Sequence, residues 1–374
     1  MIRLSKSIVG QLEAAAAAKV IVEDGYLGMG QAVQRFELEL QEYLGVKHVM
    51  CVNSGTAALH LAVQALGLGI GDEVLVQSLT FVSDFQAISA TGAKPIACEI
   101  IPQNGTIDLA DTAKRLSTRT KAIMPVHYAS NPGDLDAIYA FAKENNLRVI
   151  EDAAHAFGCY YKGKKIGSFG DIACFSFDGI KNITSGEGGA VATNDDQIAE
   201  LVKNARLLGV EKDTEKRFSG ERSWESDVRH QGYRYHMSNI LAAIGSVQLS
   251  RFENEFRPKR IALAKQYRER LKSVEQIQLL QGEPGDIVPH IFSVRVLNGQ
   301  RDALRQYLTE QEIQTGIHYL PNHLLTYYGA KKGTLPITEQ FYREIISLPL
   351  HPGLTACEMN NVLQAINKFF DLNT

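Results

Sequence analysis

The chain has 374 residues, of which 45% are hydrophobic and 22% are charged, and its formal net charge is −3. This length exceeds the size at which one hydrophobic core usually stops growing, so we expect two domains, residues 1–250 and residues 251–374. The small net charge gives no reason to expect nucleic acid or a membrane surface as a partner, and no apolar run approaches the length of a membrane span. We expect a cytoplasmic protein.

The five cysteines are scattered along the chain, at Cys51, Cys98, Cys159, Cys174 and Cys357. No pair has the C-x-x-C spacing, and an odd number in a long chain is typical of reduced thiols. Three of them lie in apolar runs that resemble strands, where a buried, inert thiol is the simplest interpretation. We therefore expect neither a metal site nor an iron–sulfur cluster.

Strand-like and helix-like segments alternate between residues 48 and 194. The strands are predicted at 48–53, 73–77, 95–99, 122–127, 148–151, 171–177 and 190–193, and the helices between them at 56–66, 85–91 and 135–145. Repeated strand–helix units joined by short turns favour an α/β fold, with a mostly parallel central sheet between layers of helices.

The alternation ends near residue 200. Residues 209–231 are rich in charged side chains and contain the single tryptophan, Trp224, which favours a long, partly exposed segment. Further helices are predicted at 239–252, 259–271, 302–310 and 356–369, and further strands at 291–296 and 314–318. These elements predict a second, smaller α/β domain at the C-terminal end.

A turn of small residues, Asn53-Ser54-Gly55-Thr56-Ala57, joins the first predicted strand to its helix. Ser54 suits the N-cap position, and the free N–H groups of the first helical turn can bind a dianionic phosphate. The Thr56 hydroxyl could add a further contact. Taken alone, the motif is explained more simply as an ordinary capped helix.

An acidic residue, Asp152, ends the apolar strand predicted at 148–151. The carboxyl end of a strand is where open parallel sheets bind ligands. A carboxylate there could hold a proton on the pyridine nitrogen of pyridoxal 5′-phosphate (PLP), which makes the cofactor ring an electron sink. The alternative is an acidic cap of a helix that follows.

A single lysine, Lys181, follows another predicted strand, and no other charged residue lies between Asp178 and Glu187. A lysine that forms a Schiff base must be partly neutral, and burial achieves this by lowering the pKa of the amine. The glycines that follow, at 186, 188 and 189, would allow a ligand to approach the backbone closely. Most lysines are solvated surface residues, but the uncharged surroundings of this one favour the chemical role.

Residues 25–352 resemble the sugar-nucleotide aminotransferase family of fold-type I PLP enzymes. The resemblance rests on motifs that occur in the family's order: Gly28-x-Gly30 before Phe36-Glu37, Ser54-Gly55-Thr56, Glu151-Asp152-Ala153-Ala154, Phe175-Ser176-Phe177 before Lys181-Asn182, Gly186-Glu187-Gly188-Gly189, Tyr319-Leu320-Pro321 and Ser347-Leu348-Pro349. Each motif is weak alone, whereas their order and spacing together are specific.

The resemblance implies a role for each part of the site. Lys181 would form the Schiff base with PLP and move a proton between the substrate carbon and C4′ of the cofactor. Asp152 would pair with the pyridine nitrogen. The phosphate contacts would come from Gly55, Thr56 and Ser176.

Two further side chains are implied beside the cofactor ring. Phe81 matches the family's stacking aromatic, with a core aromatic as the alternative interpretation. His155 takes the position of a Gln or His beside the ring oxygen, where it could equally be a satisfied histidine behind the site.

One motif departs from the family pattern. Relatives often have Gly-x-Asn-x-Arg-Met, whereas this chain has Gly232-Tyr233-Arg234-Tyr235-His236-Met237. If Arg234 replaces the asparagine, it could bind the cofactor phosphate of the neighbouring subunit through charged contacts. The alternative is that it points elsewhere and this contact is lost. A homodimer with sites at the subunit interface is implied by the resemblance alone.

The implied reaction moves an amino group from L-glutamate to a nucleotide-linked ketosugar, for cell-surface polysaccharide (such as lipopolysaccharide O-antigen) or glycoconjugate biosynthesis. The stretches 151–155 and 181–189 look closer to enzymes that aminate C4 of a 4-keto-6-deoxyhexose than to C3 enzymes. Candidate substrate contacts are His236, His318, Tyr319 and His323, for which packing or surface roles are the alternative.

Two other classes of protein are weighed against this reaction. A PLP-dependent sugar dehydratase would usually replace the lysine by histidine or add cysteines for an iron–sulfur cluster. A non-catalytic regulatory relative would be favoured by a basic or helix-turn-helix extension, and none is visible. Lys181 and the scattered cysteines favour the aminotransferase.

Overall fold

The computed structural model describes residues 1–222, 224, 226–282, 286–329 and 331–371. The strands are β1 (His48–Val52), β2 (Glu73–Gln77), β3 (Lys94–Cys98), β4 (Thr120–Met124), β5 (Arg148–Asp152), β6 (Tyr160–Tyr161), β7 (Lys164–Lys165), β8 (Ile172–Ser176), β9 (Gly189–Thr193), β10 (Ile277–Leu279), β11 (Phe292–Val296) and β12 (Ile345–Leu348). The helices are α1 (Gln11–Lys19), α2 (Gln31–Leu44), α3 (Gly55–Ala65), α4 (Ser83–Ala90), α5 (Leu109–Lys114), α6 (Leu135–Glu144), α7 (Asp196–Ala205), α8 (Asp213–Phe218), α9 (Asn239–Arg251), α10 (Arg257–Leu271), α11 (Arg301–Glu310), α12 (Pro336–Glu344) and α13 (Ala356–Asp371).

A seven-stranded sheet forms the centre of the fold, in the order β1-β9-β8-β5-β4-β2-β3. All of its strands run parallel except β9, which pairs antiparallel with both β1 and β8. Strands such as β2, β8 and β9 are buried along their whole length because helices cover both faces of the sheet. The predicted α/β fold with a mostly parallel sheet is confirmed, although β4 begins and ends earlier than the predicted 122–127.

Two apolar clusters flank the central sheet. One contains Phe36 of α2 and Ile138 of α6, and the other contains Leu61 of α3, Ile88 of α4 and Val202 of α7. The cysteines predicted to lie in strands, Cys51, Cys98 and Cys174, are buried and unpaired, as expected. Packing on both faces fixes the strand ends, which is what holds a site at one edge of the sheet.

A smaller antiparallel sheet, β10-β11-β12, lies in the C-terminal part of the chain with α10, α11 and α13 packed in the same apolar cluster. Ile2 at the N-terminus joins this cluster and pairs with Ile313. The prediction of a strand at 314–318 is wrong. That stretch makes one isolated pair, Gly316 with Ser347, because the partner that completes the ladder of β11 is β12.

The charged segment 209–231 contains one short helix, α8, in its described part, and Trp224 is 86% exposed. Within the described ranges, no helix combines the length and the apolar character needed to cross a bilayer. A domain boundary at residue 250 stays a prediction.

Candidate active site

A cavity of about 380 Å³ opens beside the ends of β5 and β8 and the start of α3. This is the edge at which parallel sheets bind ligands, because the carboxyl ends of several strands meet there. Its lining comprises Ser54, Gly55, Thr56, Leu59, Thr80, Phe81, Ser83, Val126, Asp152, Ala154, His155, Ser176, Asp178, Ile180, Lys181, Glu187, His290, His318 and Tyr319. Most of the predicted site residues are therefore brought to one cavity.

The start of α3 forms the first part of the site. Ser54 is the N-cap, as predicted, and its Oγ accepts a hydrogen bond of 3.1 Å from Ala57 N. The first N–H groups of a helix have no partner within the helix, so they favour an anion at this end. A side chain at position 55 would bring its Cβ within 2.9 Å of Ser176 Cβ, so only glycine lets β8 lie against this turn.

Gly189, the last glycine of the stretch after Lys181, lies against the protein's own backbone. A Cβ at Gly189 would lie 2.5 Å from the carbonyl oxygen of Ser54. Glycine at the start of β9 therefore allows close approach of the protein's own backbone, at the turn that begins α3. Gly189 therefore lets β9 pack directly against the turn that can bind an anion.

Asp152 ends β5 with its side chain 5% exposed. Its Oδ1 accepts a hydrogen bond of 2.9 Å from Ala154 N. No helix follows at residues 153–157, so Asp152 caps a turn and is not the helix cap of the alternative interpretation. A second buried carboxyl group, Asp84 in the first turn of α4, lies against it. We call Asp84 and Asp152 the carboxyl pair. Asp84 was missed because an acid in a first helical turn is an ordinary helix-starting signal.

Lys181 is half-buried in the loop between β8 and β9. Burial lowers the pKa of its amine, and the nearby carboxyl groups of Asp152, Asp178 and Asp84 partly oppose that shift. A lowered pKa increases the neutral fraction of the amine, and the neutral form is the one that acts as a nucleophile.

The loop that contains Lys181 is held at its backbone and at the next side chain. The Asn182 amide donates hydrogen bonds of 3.0 Å to Phe157 O and 3.0 Å to Val288 O. Arg260, which is buried, donates one of 3.4 Å to Lys181 O. The lysine loop is thus bonded both to the segment that follows β5 and to the C-terminal part of the chain.

Three histidines form a cluster beside Lys181, and we call His155, His290 and His318 the histidine cluster. The rings of His155 and His290 have centroids 4.5 Å apart, and His155 Nε2 lies 3.0 Å from Tyr319 Oη. His318 Nδ1 lies 2.7 Å from Ser347 Oγ.

Burial, and after it the charge of Lys181, lowers the pKa of each of these imidazoles, that of His318 to about 4. The cluster therefore consists of neutral imidazoles at physiological pH. His290 was missed because a lone histidine before a strand has no motif around it.

Phe81 is 54% exposed, so it is not a core aromatic. It borders the cavity, with its ring centroid 5.7 Å from that of Tyr319. An exposed phenylalanine on a cavity wall leaves one aromatic face free to cover a planar ligand.

The remaining predicted residues lie elsewhere in this chain. Arg234 is exposed and, with His236, lines a separate depression that also contains Arg217 and Trp224. His323 is buried behind the cavity, 2.7 Å from Ser78 Oγ and 3.1 Å from Glu339 Oε1. Their predicted roles toward cofactor or substrate stay predictions.

The cavity has the groups that PLP requires. A helix N-terminus suits the phosphate, a buried carboxylate suits the pyridine nitrogen, a lysine with a lowered pKa suits the aldehyde, and an open aromatic face suits the ring. A lysine, a carboxylate and a helix N-terminus together at the edge of a mostly parallel sheet are the arrangement expected of the class of fold-type I PLP-dependent enzymes.

The chain belongs to the DegT/DnrJ/EryC1/StrS aminotransferase family, whose sequence profile matches residues 9–367. It is 34% identical to the spore coat polysaccharide biosynthesis protein SpsC of Bacillus subtilis, over 97% of this chain and 95% of SpsC. Among solved structures it resembles the aminotransferase TlmJ of Streptoalloteichus hindustanus, with 32% identity, a TM-score of 0.92 and all of both chains covered.

It also resembles DesV of S. venezuelae, with 34% identity and a TM-score of 0.88 over 96% of this chain and 94% of DesV. The predicted family, fold and enzyme class are confirmed: the protein is a PLP-dependent sugar aminotransferase, and PLP is the cofactor of the family.

Proposed function

We propose that the protein transfers an amino group from L-glutamate to C4 of a nucleotide-linked 4-keto-6-deoxyhexose. The observation that carries the proposal is the placement of Lys181 in one cavity with Asp152 and the N-terminus of α3. The preference for C4 over C3 comes from the residues at 151–155 and 181–189. One relative agrees with a role in surface sugars, because SpsC is a spore coat polysaccharide biosynthesis protein; PseC of Helicobacter pylori is an aminotransferase involved in pseudoaminic acid biosynthesis.

Each residue has a definite task in this reaction. When bound, PLP supplies a ring that withdraws the electrons left on the substrate carbon as its proton departs. Lys181 Nζ would accept that proton from the substrate carbon and deliver it to C4′ of the cofactor, which its lowered pKa allows. Asp152 stabilises positive charge at the pyridine nitrogen.

Other groups position the reactants. Gly55 and Thr56 offer N–H groups to the phosphate at the start of α3, and Ser176 lies against Gly55. Phe81 covers one face of the ring. The neutral histidine cluster adds hydrogen-bonding groups without adding positive charge beside Lys181.

We infer a homodimer in which Arg234 and His236 serve the neighbouring cavity. Both residues lie outside the cavity of their own chain, in a depression that contains further basic side chains. A basic surface there suits the diphosphate of a nucleotide-linked sugar. A cytoplasmic location and a place in cell-surface polysaccharide synthesis belong to the same proposal.

A two-stage spectroscopic assay tests the function. L-Glutamate should bleach the visible absorption band of the lysine-bound cofactor, and a nucleotide-linked 4-keto-6-deoxyhexose should restore it with an amine at C4, identified by NMR. Restoration by a 3-keto sugar instead would identify a C3 enzyme. Bleaching that no ketosugar reverses would contradict the substrate class, and a deoxygenated product without an amine would identify a dehydratase.

A further inference from the structure

A second carboxyl group lies behind the catalytic carboxylate. Asp84 is 0% exposed and does not line the cavity, but its side chain is within hydrogen-bonding reach of Asp152, which does. Asp84 Oδ2 accepts a hydrogen bond from Thr80 Oγ1. Asp84 Oδ1 is also buried, and among the described residues no donor is placed to bond to it.

Two ionised carboxylates cannot satisfy each other, because each only accepts hydrogen bonds. Burial and a neighbouring like charge both oppose the second ionisation, and together they raise the pKa of Asp84 well above its usual range. The Thr80 hydrogen bond and the first turn of α4 favour the ionised form, but they are the weaker influences. A proton on Oδ1 would remove the repulsion and give the unpartnered oxygen a donor role.

The other titratable groups that interact with Asp84 do not change this balance. Cys174 is buried on β8, and burial raises the pKa of its thiol, which keeps it neutral. Tyr319 is neutral for the same reason. Lys181 would favour an ionised Asp84, but burial lowers the pKa of its amine.

We infer that Asp84 is protonated in the folded protein and donates a hydrogen bond from its carboxyl group to Asp152. The carboxyl pair then has one negative charge, which matches the single positive charge of a protonated pyridine nitrogen. Asp84 is therefore a positioning residue that fixes Asp152 without touching the cofactor. The inference rests on the proposed function only for the role of Asp152.

Two variants separate a donor from a charge. Asp84→Asn keeps the shape, and its amide can accept from Thr80 and donate to Asp152, so the affinity for PLP should stay within about twofold of wild type. Asp84→Leu removes the donor and should weaken PLP binding about tenfold or more, as expected for a lost hydrogen bond to a charged group. Equal affinities in the two variants would overturn the donor role.

Infrared spectroscopy of the holoprotein at neutral pH tests the proton itself. The wild-type minus Asp84→Asn difference spectrum should contain the carbonyl stretch of a protonated carboxylic acid, and this band should shift in D₂O. A difference that contains only carboxylate stretches would overturn the inference. If Asp84→Asn does not fold, the same band is sought in wild type labelled with ¹³C at its aspartate carboxyl carbons, where the absence of a label-sensitive band would refute it.

These readouts are independent of the sugar substrate. A protonated-acid band and a donor-dependent PLP affinity would remain even if the ketosugar assay failed. Failure of the band with a successful sugar assay would reject the inference about Asp84 alone.

Discussion

The carboxyl pair stabilises a positive charge on Lys181, whereas the histidine cluster stays neutral beside it. The carboxyl pair, through its single negative charge, favours the ammonium form of Lys181, whereas burial and that same lysine make the imidazoles of His155, His290 and His318 harder to protonate. Burial opposes a charge in both groups, yet only the carboxyl pair keeps a charge, which is the single negative charge inferred above. The difference shows how one cavity can stabilise a positive charge at the pyridine nitrogen while leaving the lysine amine partly neutral.

The largest loss of activity is expected at Lys181, whose amine interacts with both the carboxyl pair and the histidine cluster. Lys181→Ala should leave a folded protein whose steady-state turnover falls by more than about 10⁴-fold, because both covalent attachment and proton transfer are lost. Circular dichroism checks the fold and the amino-transfer assay checks the rate. Lys164→Ala, on the exposed β6–β7 hairpin, is the matched control and should keep its turnover. Appreciable turnover in Lys181→Ala would refute the assignment.

The second effect concerns the carboxyl pair. Asp152→Asn should lower turnover by about 10²–10³-fold, the range for loss of a preorganised electrostatic partner. An amide cannot hold the pyridine nitrogen positively charged. Steady-state kinetics measure the loss, and Asp302→Asn, an exposed carboxylate on α11, is the control. If both variants kept the wild-type rate, Asp152 would have no electrostatic role.

The smallest effect concerns the histidine cluster and appears as a pH dependence of stability. His318 has its pKa lowered to about 4, so between about pH 6.5 and 4 the unfolded chain binds a proton that the folded chain excludes. The neutral imidazole therefore contributes its full share to the free energy of unfolding above this window. That contribution is lost as the pH falls through the window, by up to roughly 1.4 kcal/mol per pH unit.

His318→Gln should reduce that slope, as measured by urea unfolding of the apoprotein at several pH values within the window. His230→Gln, a change on the exposed segment 209–231, should leave the slope as in wild type. Identical slopes for wild type and His318→Gln would show that His318 takes up its proton in the folded state.

Sequence reasoning reached the parts of the site that lie at the carboxyl ends of parallel strands. Asp152 ends an apolar strand and the capped turn at Ser54 follows another, so local pattern and parallel topology indicated both as candidate ligand contacts, whereas Ser176 at the end of β8 was implied by the family resemblance. Asp84 and His290 each have an ordinary local setting. Only tertiary packing places them beside Asp152 and His155, so no local pattern could reveal them.

The prediction of a strand at 314–318 failed for a related reason. The residues suit an extended conformation, but a ladder needs a partner in register, and β11 pairs with β12. His318, at the end of this segment, and the next residue, Tyr319, both line the cavity instead.

The anchoring of the lysine loop has a consequence for how substrates enter. Asn182 and Arg260 join this loop to Val288 and to the helix α10, so the C-terminal part of the chain cannot swing away without displacing the reactive amine. A substrate path that opens without breaking these bonds would leave the reactive amine in place.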